Sequence, residues 1–122
     1  MANPTFNKVL MIGRLTNDVD LRYTPNGIAV ATMRIASNRE FNTTEGKKEE
    51  TCFVNIIAWD KLAEACAQYL KKSMLIFVEG RLQSRVWETQ DKQKRSTLEI
   101  RAENIQFLEK SPKIETRYEE MN

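Results

Sequence analysis

The sequence predicts an all-β fold: a small five-stranded barrel with one α-helix between strands 3 and 4. Two observations carry this. Strand-like runs occupy residues 6–15, 28–38, 51–59, 75–87 and 95–108. One helical pattern, residues 61–70, falls between the third and fourth of them. Five twisted antiparallel strands with a helix at that point form the closed barrel used to bind oligonucleotides and oligosaccharides. An RNA-recognition module would need a second helix, and the pattern holds only one.

The elements follow in order. Residues 1–5 form a short polar lead containing Pro4, and residues 6–15 (FNKVLMIGRL) read as a strand. Gly13 inside it suits a bend or a close crossing in a tightly curled sheet. A polar break at 16–20 leads to a short extended piece, 21–23. Pro25, Asn26 and Gly27 then supply a tight turn, since Pro presets one dihedral and Asn-Gly tolerates positive φ. In the next strand Ala29, Ala31, Met33 and Ile35 share one face. Residues 39–50 (REFNTTEGKKEE) read as a polar, flexible loop around Gly46, with Phe41 exposed near its start. In the third strand Phe53, Asn55, Ile57 and Trp59 share a face. Asp60 is placed to cap the helix, whose apolar stripe is Leu62, Cys66, Tyr69 and Leu70.

The stretch from Lys71 to Phe107 carries the strongest functional signal. From Leu75, the even positions (Ile76, Val78, Gly80, Leu82, Val86) are apolar and suited to packing. The odd positions turn polar and basic through Glu79, Arg81, Gln83 and Arg85, and end in Trp87. Arginines followed by a ring on one strand face suit a nucleic-acid strand, cations meeting phosphates and the ring meeting a base. In the last strand the apolar parity changes between Ala102 and Ile105, which predicts a bulge. Residues 109–122 hold Pro112, balanced charges and little apolar material, and read as a flexible tail after a domain spanning 1–108.

Composition narrows the classes. The 122 residues are 41% hydrophobic, enough for one modest core. The net charge of +2 makes the distribution of charge more informative than its sum. No run is long or apolar enough to cross a membrane, and no signal peptide is evident, so the expected location is cytoplasmic. Cys52 and Cys66 are too few for a four-ligand metal site, and there is no His. No converging set of reactive groups suggests an enzyme, and no cofactor is expected. Glu79 and Arg81 share a face, which an ion pair explains.

NKVLMIGRL (7–15), LRYTPNGIAVA (21–31), WDKLAE (59–64), YLKK (69–72), VEGRLQSRVW (78–87) and AENIQFL (102–108), in this order, resemble the bacterial single-stranded DNA-binding proteins of the homotetrameric kind. The resemblance implies an OB-fold, a homotetramer, binding of single-stranded DNA without sequence preference in replication, recombination and repair, a nucleoid-associated location, and no catalysis. Its base-stacking aromatics fall on Phe41, Phe53, Trp59 and Trp87. The candidate phosphate contacts are Arg34, Arg39, Lys47, Lys48, Lys61, Lys71, Lys72, Arg81, Arg85, Lys94 and Arg95, with Arg81 and Arg85 foremost. Val9 and Met11 are candidates for subunit contacts. Such proteins usually end in a glycine-rich linker and an acidic tip closing in Pro-Phe, which recruits replication and repair proteins. This chain ends Glu119-Glu120-Met121-Asn122. Either a longer tail belongs to the native protein or this member lacks that docking function. The alternative on the same fold is a primosome accessory protein or a cold-shock-like RNA-binding protein.

Overall fold

The computed structural model describes residues 3–109. The chain runs β1 (Val9–Leu15), β2 (Asp20–Tyr23), β3 (Ala29–Thr43), β4 (Gly46–Trp59), α1 (Asp60–Tyr69), β5 (Leu75–Glu88) and β6 (Lys94–Phe107). The strands lie side by side in the order β1-β5-β6-β4-β3-β2, and β1 also pairs with β3. That extra pairing closes a five-stranded OB-fold barrel of β1, β5, β6, β4 and β3, with α1 between its third and fourth strands. Short β2 pairs with β3 beyond the end of β1, from Asp20↔Thr32 to Tyr23↔Ala29. All pairings are antiparallel except β4–β6, which is parallel and joins only Asn55, Ile56 and Ile57 to Glu99, Ile100 and Arg101.

Alternation decides which side chains enter the barrel. Ala31, Met33 and Ile35 of β3, Ile56 and Ala58 of β4, Ile76 and Val78 of β5, and Ile100, Ala102 and Ile105 of β6 are buried together. Ala63, Cys66 and Leu70 bring α1 onto the same cluster. The expected bulge in the last strand is present: Gly80 pairs with Ala102 but Glu79 pairs with Asn104, so Glu103 has no partner and the inward parity shifts. Two glycines permit the tight closure. A Cβ on Gly13 would stand 2.8 Å from the Ala36 carbonyl oxygen, beside the β1–β3 seam. A Cβ on Gly80 would overlap the Arg101 carbonyl oxygen.

Several expectations need correction. Residues 39–50 are not a loop. The β3–β4 ladder continues from Arg39↔Glu50 to Thr43↔Gly46. Opposite charges meet across it, Arg39 with Glu50 at 3.8 Å and Lys47 with Glu40 at 3.5 Å. The turn is closed by Thr43 Oγ1, which accepts from the Glu45 N–H and donates to the Gly46 carbonyl, and by Gly46 at φ 119°. Asp60 does not cap the helix. It stands inside α1 at φ 62°, the N-cap position is Trp59, and no side chain bonds the free amides. Strand β1 starts at Val9 rather than Phe6, and Asn7 extends it with its side chain. Its amide donates to the Leu82 carbonyl and accepts from the Leu82 N–H, both at 2.8 Å.

The apolar area left free on β1 also has the other parity. Val9 and Met11 pack against the core, whereas Leu10 and Ile12 are exposed. The tail expected from Glu109 lies outside the described residues from 110 onward. Glu109 itself is clasped: its Oε1 accepts from Arg14 Nη1 and from the Leu75 N–H, both at 2.8 Å.

Candidate nucleic-acid interface

The outward parity of four adjacent strands can be read across the sheet in rows. One row runs Arg81, Arg101, Ile57, Thr32. The next runs Gln83, Glu99, Asn55, Arg34. Beyond it the two hairpins part, because β4 and β6 no longer pair. The β3–β4 arm continues outward with Ala36 beside Phe53. The β5–β6 arm continues with Arg85 beside Thr97 and Trp87 beside Arg95. Trp59 stands at the other end of the β4 row, paired with Val30.

Each of the four sequence-predicted rings carries an arginine. Guanidinium carbons lie 4.8 Å from the Phe53 centroid (Arg34), 5.2 Å from Phe41 (Arg39), 5.1 Å from Trp87 (Arg85) and 5.4 Å from Trp59 (Arg101). Such contacts contribute about 0.5–1 kcal/mol each at exposed sites. They also put a cation within reach of any phosphate attached to a base stacked on that ring. Phe53 and Trp87 remain 53% and 42% exposed although an arginine lies over each. Trp59 is half-buried, and its Nε1–H is a buried donor with no acceptor among the described residues. Phe41 differs. Register places it opposite Lys48, on the parity of Met33 and Ile35, hence on the reverse side of the β3–β4 ribbon from Phe53.

The expected cations divide in the same way. Arg39, Lys47, Lys48 and Arg85 have carboxylate partners at 3.5–3.8 Å. Arg34, Arg81, Lys94 and Arg95 have none among the described residues. Lys61 is exposed in the first turn of α1, two residues after Trp59. Lys71 and Lys72 lie past the other end of α1, where the Lys72 N–H donates to Asp18 Oδ1 and the Lys71 N–H to Met74 Sδ. Nothing in the register joins those two lysines to the ringed face. Glu79 pairs with Lys8 at 2.8 Å rather than with Arg81. The hydrogen bond from that pairing, aided by the charges of Glu79 and Glu103, holds the Lys8 ammonium above its ordinary range against the opposing effect of burial.

Two functional-looking residues escaped sequence reasoning. Arg101 shares outward parity with Arg95, Thr97 and Glu99, so a period-two reading of β6 carried past Arg95 would have found it. Glu99 is an acid at the centre of a basic face, yet only 3% exposed. Its Oε1 accepts from Gln83 Nε2 at 3.3 Å, and its Oε2 lies 3.5 Å from Arg85 Nε. Those two side chains cover it, so Arg85 is held at once by Glu99 and by the Trp87 ring.

The arrangement therefore offers π faces and guanidinium groups in repeating pairs along two extended arms. The sequence is 52% identical over 103 residues to the single-stranded DNA-binding protein of Bacillus cereus, covering 84% of this chain and 60% of that protein. It is 45% identical over 108 residues to that of Helicobacter hepaticus, covering 88% of this chain and 64% of that protein. The chain thus spans about three fifths of the length of these curated relatives. A solved structure described as the Plasmodium falciparum SSB complex with ssDNA superimposes with a TM-score of 0.81 at 27% identity, over 89% of this chain and 100% of that one. The profile of the single-strand binding protein family matches residues 6–108, and the chain belongs to that family.

Proposed function

We propose that this protein binds single-stranded DNA without sequence preference and protects it during replication, recombination and repair. The observation that carries the reading is the pairing of every candidate stacking ring with an arginine. Bases of any identity present a π face, and phosphates carry no sequence information, so such a surface binds strands rather than sequences. Phe53, Trp59 and Trp87 take bases on the outward parity, and Phe41 takes one where the strand passes round the β3–β4 ribbon. Arg34, Arg81, Arg85 and Arg95 take phosphates, with Lys47, Lys48, Lys61 and Lys94 at the margins.

Apolar area the monomer leaves open supports assembly into a homotetramer. Leu10 and Ile12 on β1 are 58% and 50% exposed, and closed symmetry is the usual outcome when identical chains cover such faces. Recruitment of replication and repair proteins would depend on residues after 109, and location at the nucleoid would follow from the DNA bound.

Titration with a thymidine oligomer and with a duplex of equal length tests the reading. Indole fluorescence should quench on the single strand, and affinity should fall linearly with log salt. Equal affinity for the duplex would refute it. Sedimentation at micromolar concentration should give four copies per particle, and a monomer that still binds DNA would remove the assembly from the proposal.

A further inference from the structure

We propose that Arg81 and Arg101 form one phosphodiester seat beside Trp59, a proposal that rests on the single-strand-binding reading above. The two arginines are direct partners across the antiparallel β5–β6 ladder. Like charges in that relation destabilise a sheet. Both project from the outward parity, and neither has a carboxylate within ion-pair distance among the described residues. Seven other cations of the chain do have one. The carboxylate nearest by register, Glu99, is occupied by Arg85 and Gln83.

The fold holds this unfavourable pair firmly. Gly80, next to Arg81, has no side chain, and the Arg101 backbone carbonyl fills the space a Cβ would take. The bulge at Glu103 sets the register at the adjoining step. The Arg101 guanidinium lies 5.4 Å from the centroid of the Trp59 ring. A site that keeps two arginines paired across a ladder, without an internal counter-charge, is completed by an anion from outside. Beside an indole that takes a base, that anion is the phosphodiester of the same nucleotide. Two guanidinium forks on one phosphate give charge-assisted hydrogen bonds stronger than either alone. Arg101 thereby becomes a positioning and binding residue that no charge pattern up to Arg95 reveals.

The test is a double-mutant cycle with Arg81→Gln, Arg101→Gln and the double variant, each titrated with a thymidine oligomer over a range of salt. Each single change should weaken binding about tenfold. A shared phosphate makes the losses non-additive, so the double variant should bind much better than the product of the two losses implies. Its log–log salt slope should fall by about 0.7, the value for one phosphate of a single strand no longer neutralised. Additive losses with a slope change of about 1.4 would show two separate phosphates and overturn the seat. Unchanged affinity in all three variants, with the parent binding normally, would overturn it and leave the wider reading intact. A parent that does not bind the oligomer would overturn both. Thermal unfolding without DNA supplies a separate readout: Arg81→Gln should melt at or above the parent, and a clear fall would mean the arginine is structural.

Discussion

The two halves of β3 differ sharply in what they bury. Between Ala29 and Ile35 every second residue is buried; between Ser37 and Thr43 none is. β5 changes in the same way at Gly80, with Ile76 and Val78 buried before it and nothing buried from Arg81 to Glu88. One half of each strand forms barrel wall, and the other half runs on into solvent as an arm. The wall is held by apolar burial. The arms are held by backbone ladders, by opposed charges and by arginines lying on rings. The wall also carries Arg34, Trp59 and Arg101 on its outer face, so only the contacts proposed on the arms lie on lengths of strand separate from the core, and substitutions there should separate binding from stability.

The largest effect should come from the wall. Ile100 is fully buried where β4, β5 and β6 meet. Ile100→Ala should cost about 2–5 kcal/mol in denaturant unfolding. The fraction that stays folded should bind DNA with parental affinity. A loss of affinity in the folded fraction would show that wall and arms are coupled.

The next effect belongs to the arms, with the opposite signature. Trp87→Ala should weaken DNA binding by about 1–3 kcal/mol. It should change unfolding stability by no more than about 1 kcal/mol, the scale of its contact with Arg85. The same assay sharpens the contrast within one arm. Phe53→Ala should cost more binding than Phe41→Ala, because Phe53 shares the outward parity of Trp59 and Trp87 while Phe41 lies on the reverse face. Equal losses would mean that the strand wraps both sides of the ribbon equally.

The smallest effect is a difference between two thiols. Cys52 is exposed on the β3–β4 arm and Cys66 is buried on the inner face of α1. Burial pushes the Cys66 thiol up from 9.0 to about 12. The folded state thus favours the neutral thiol. That contribution is complete below about pH 9 and is lost as pH rises towards 12. A disulfide reagent at neutral pH should label one thiol per chain, and the second should react only as alkaline unfolding sets in across that window. Two thiols labelled at neutral pH would show that α1 opens readily.

The wall was legible in the sequence because burial on one side imposes a period of two. Ala29, Ala31, Met33 and Ile35 announce a strand, and Ala102 followed by Ile105 announces the bulge that the structure contains. The outer half of β3–β4 was not legible for the converse reason. With both faces in water there is no hydrophobic period, and REFNTTEGKKEE has the composition of a loop. Its only strand signal is the matching of Arg39 to Glu50 and Glu40 to Lys47, which has meaning once a register is known. Four rings could be placed from the sequence, and so could the face Arg85 shares with Trp87, but not the arginines that reach a ring from another strand. Arg34 over Phe53 and Arg101 over Trp59 are contacts between strands. The parallel β4–β6 contact that sets Glu99 beside Asn55 depends on closure of the barrel, which no local pattern encodes.

The clasp on Glu109 determines how the protein can be handled. Leu75, which donates its N–H to that carboxylate, opens the fourteen-residue strand that ends at Glu88. At about 3.3 Å per residue, the clasp and the tip of the β5–β6 arm are up to ~45 Å apart along the strand. Whatever is fused after residue 109 therefore starts at the pole away from that tip. A dye or affinity tag attached there would start far along the strand from Trp87, whereas the same label in the turn at Thr89 would sit two residues from that ring.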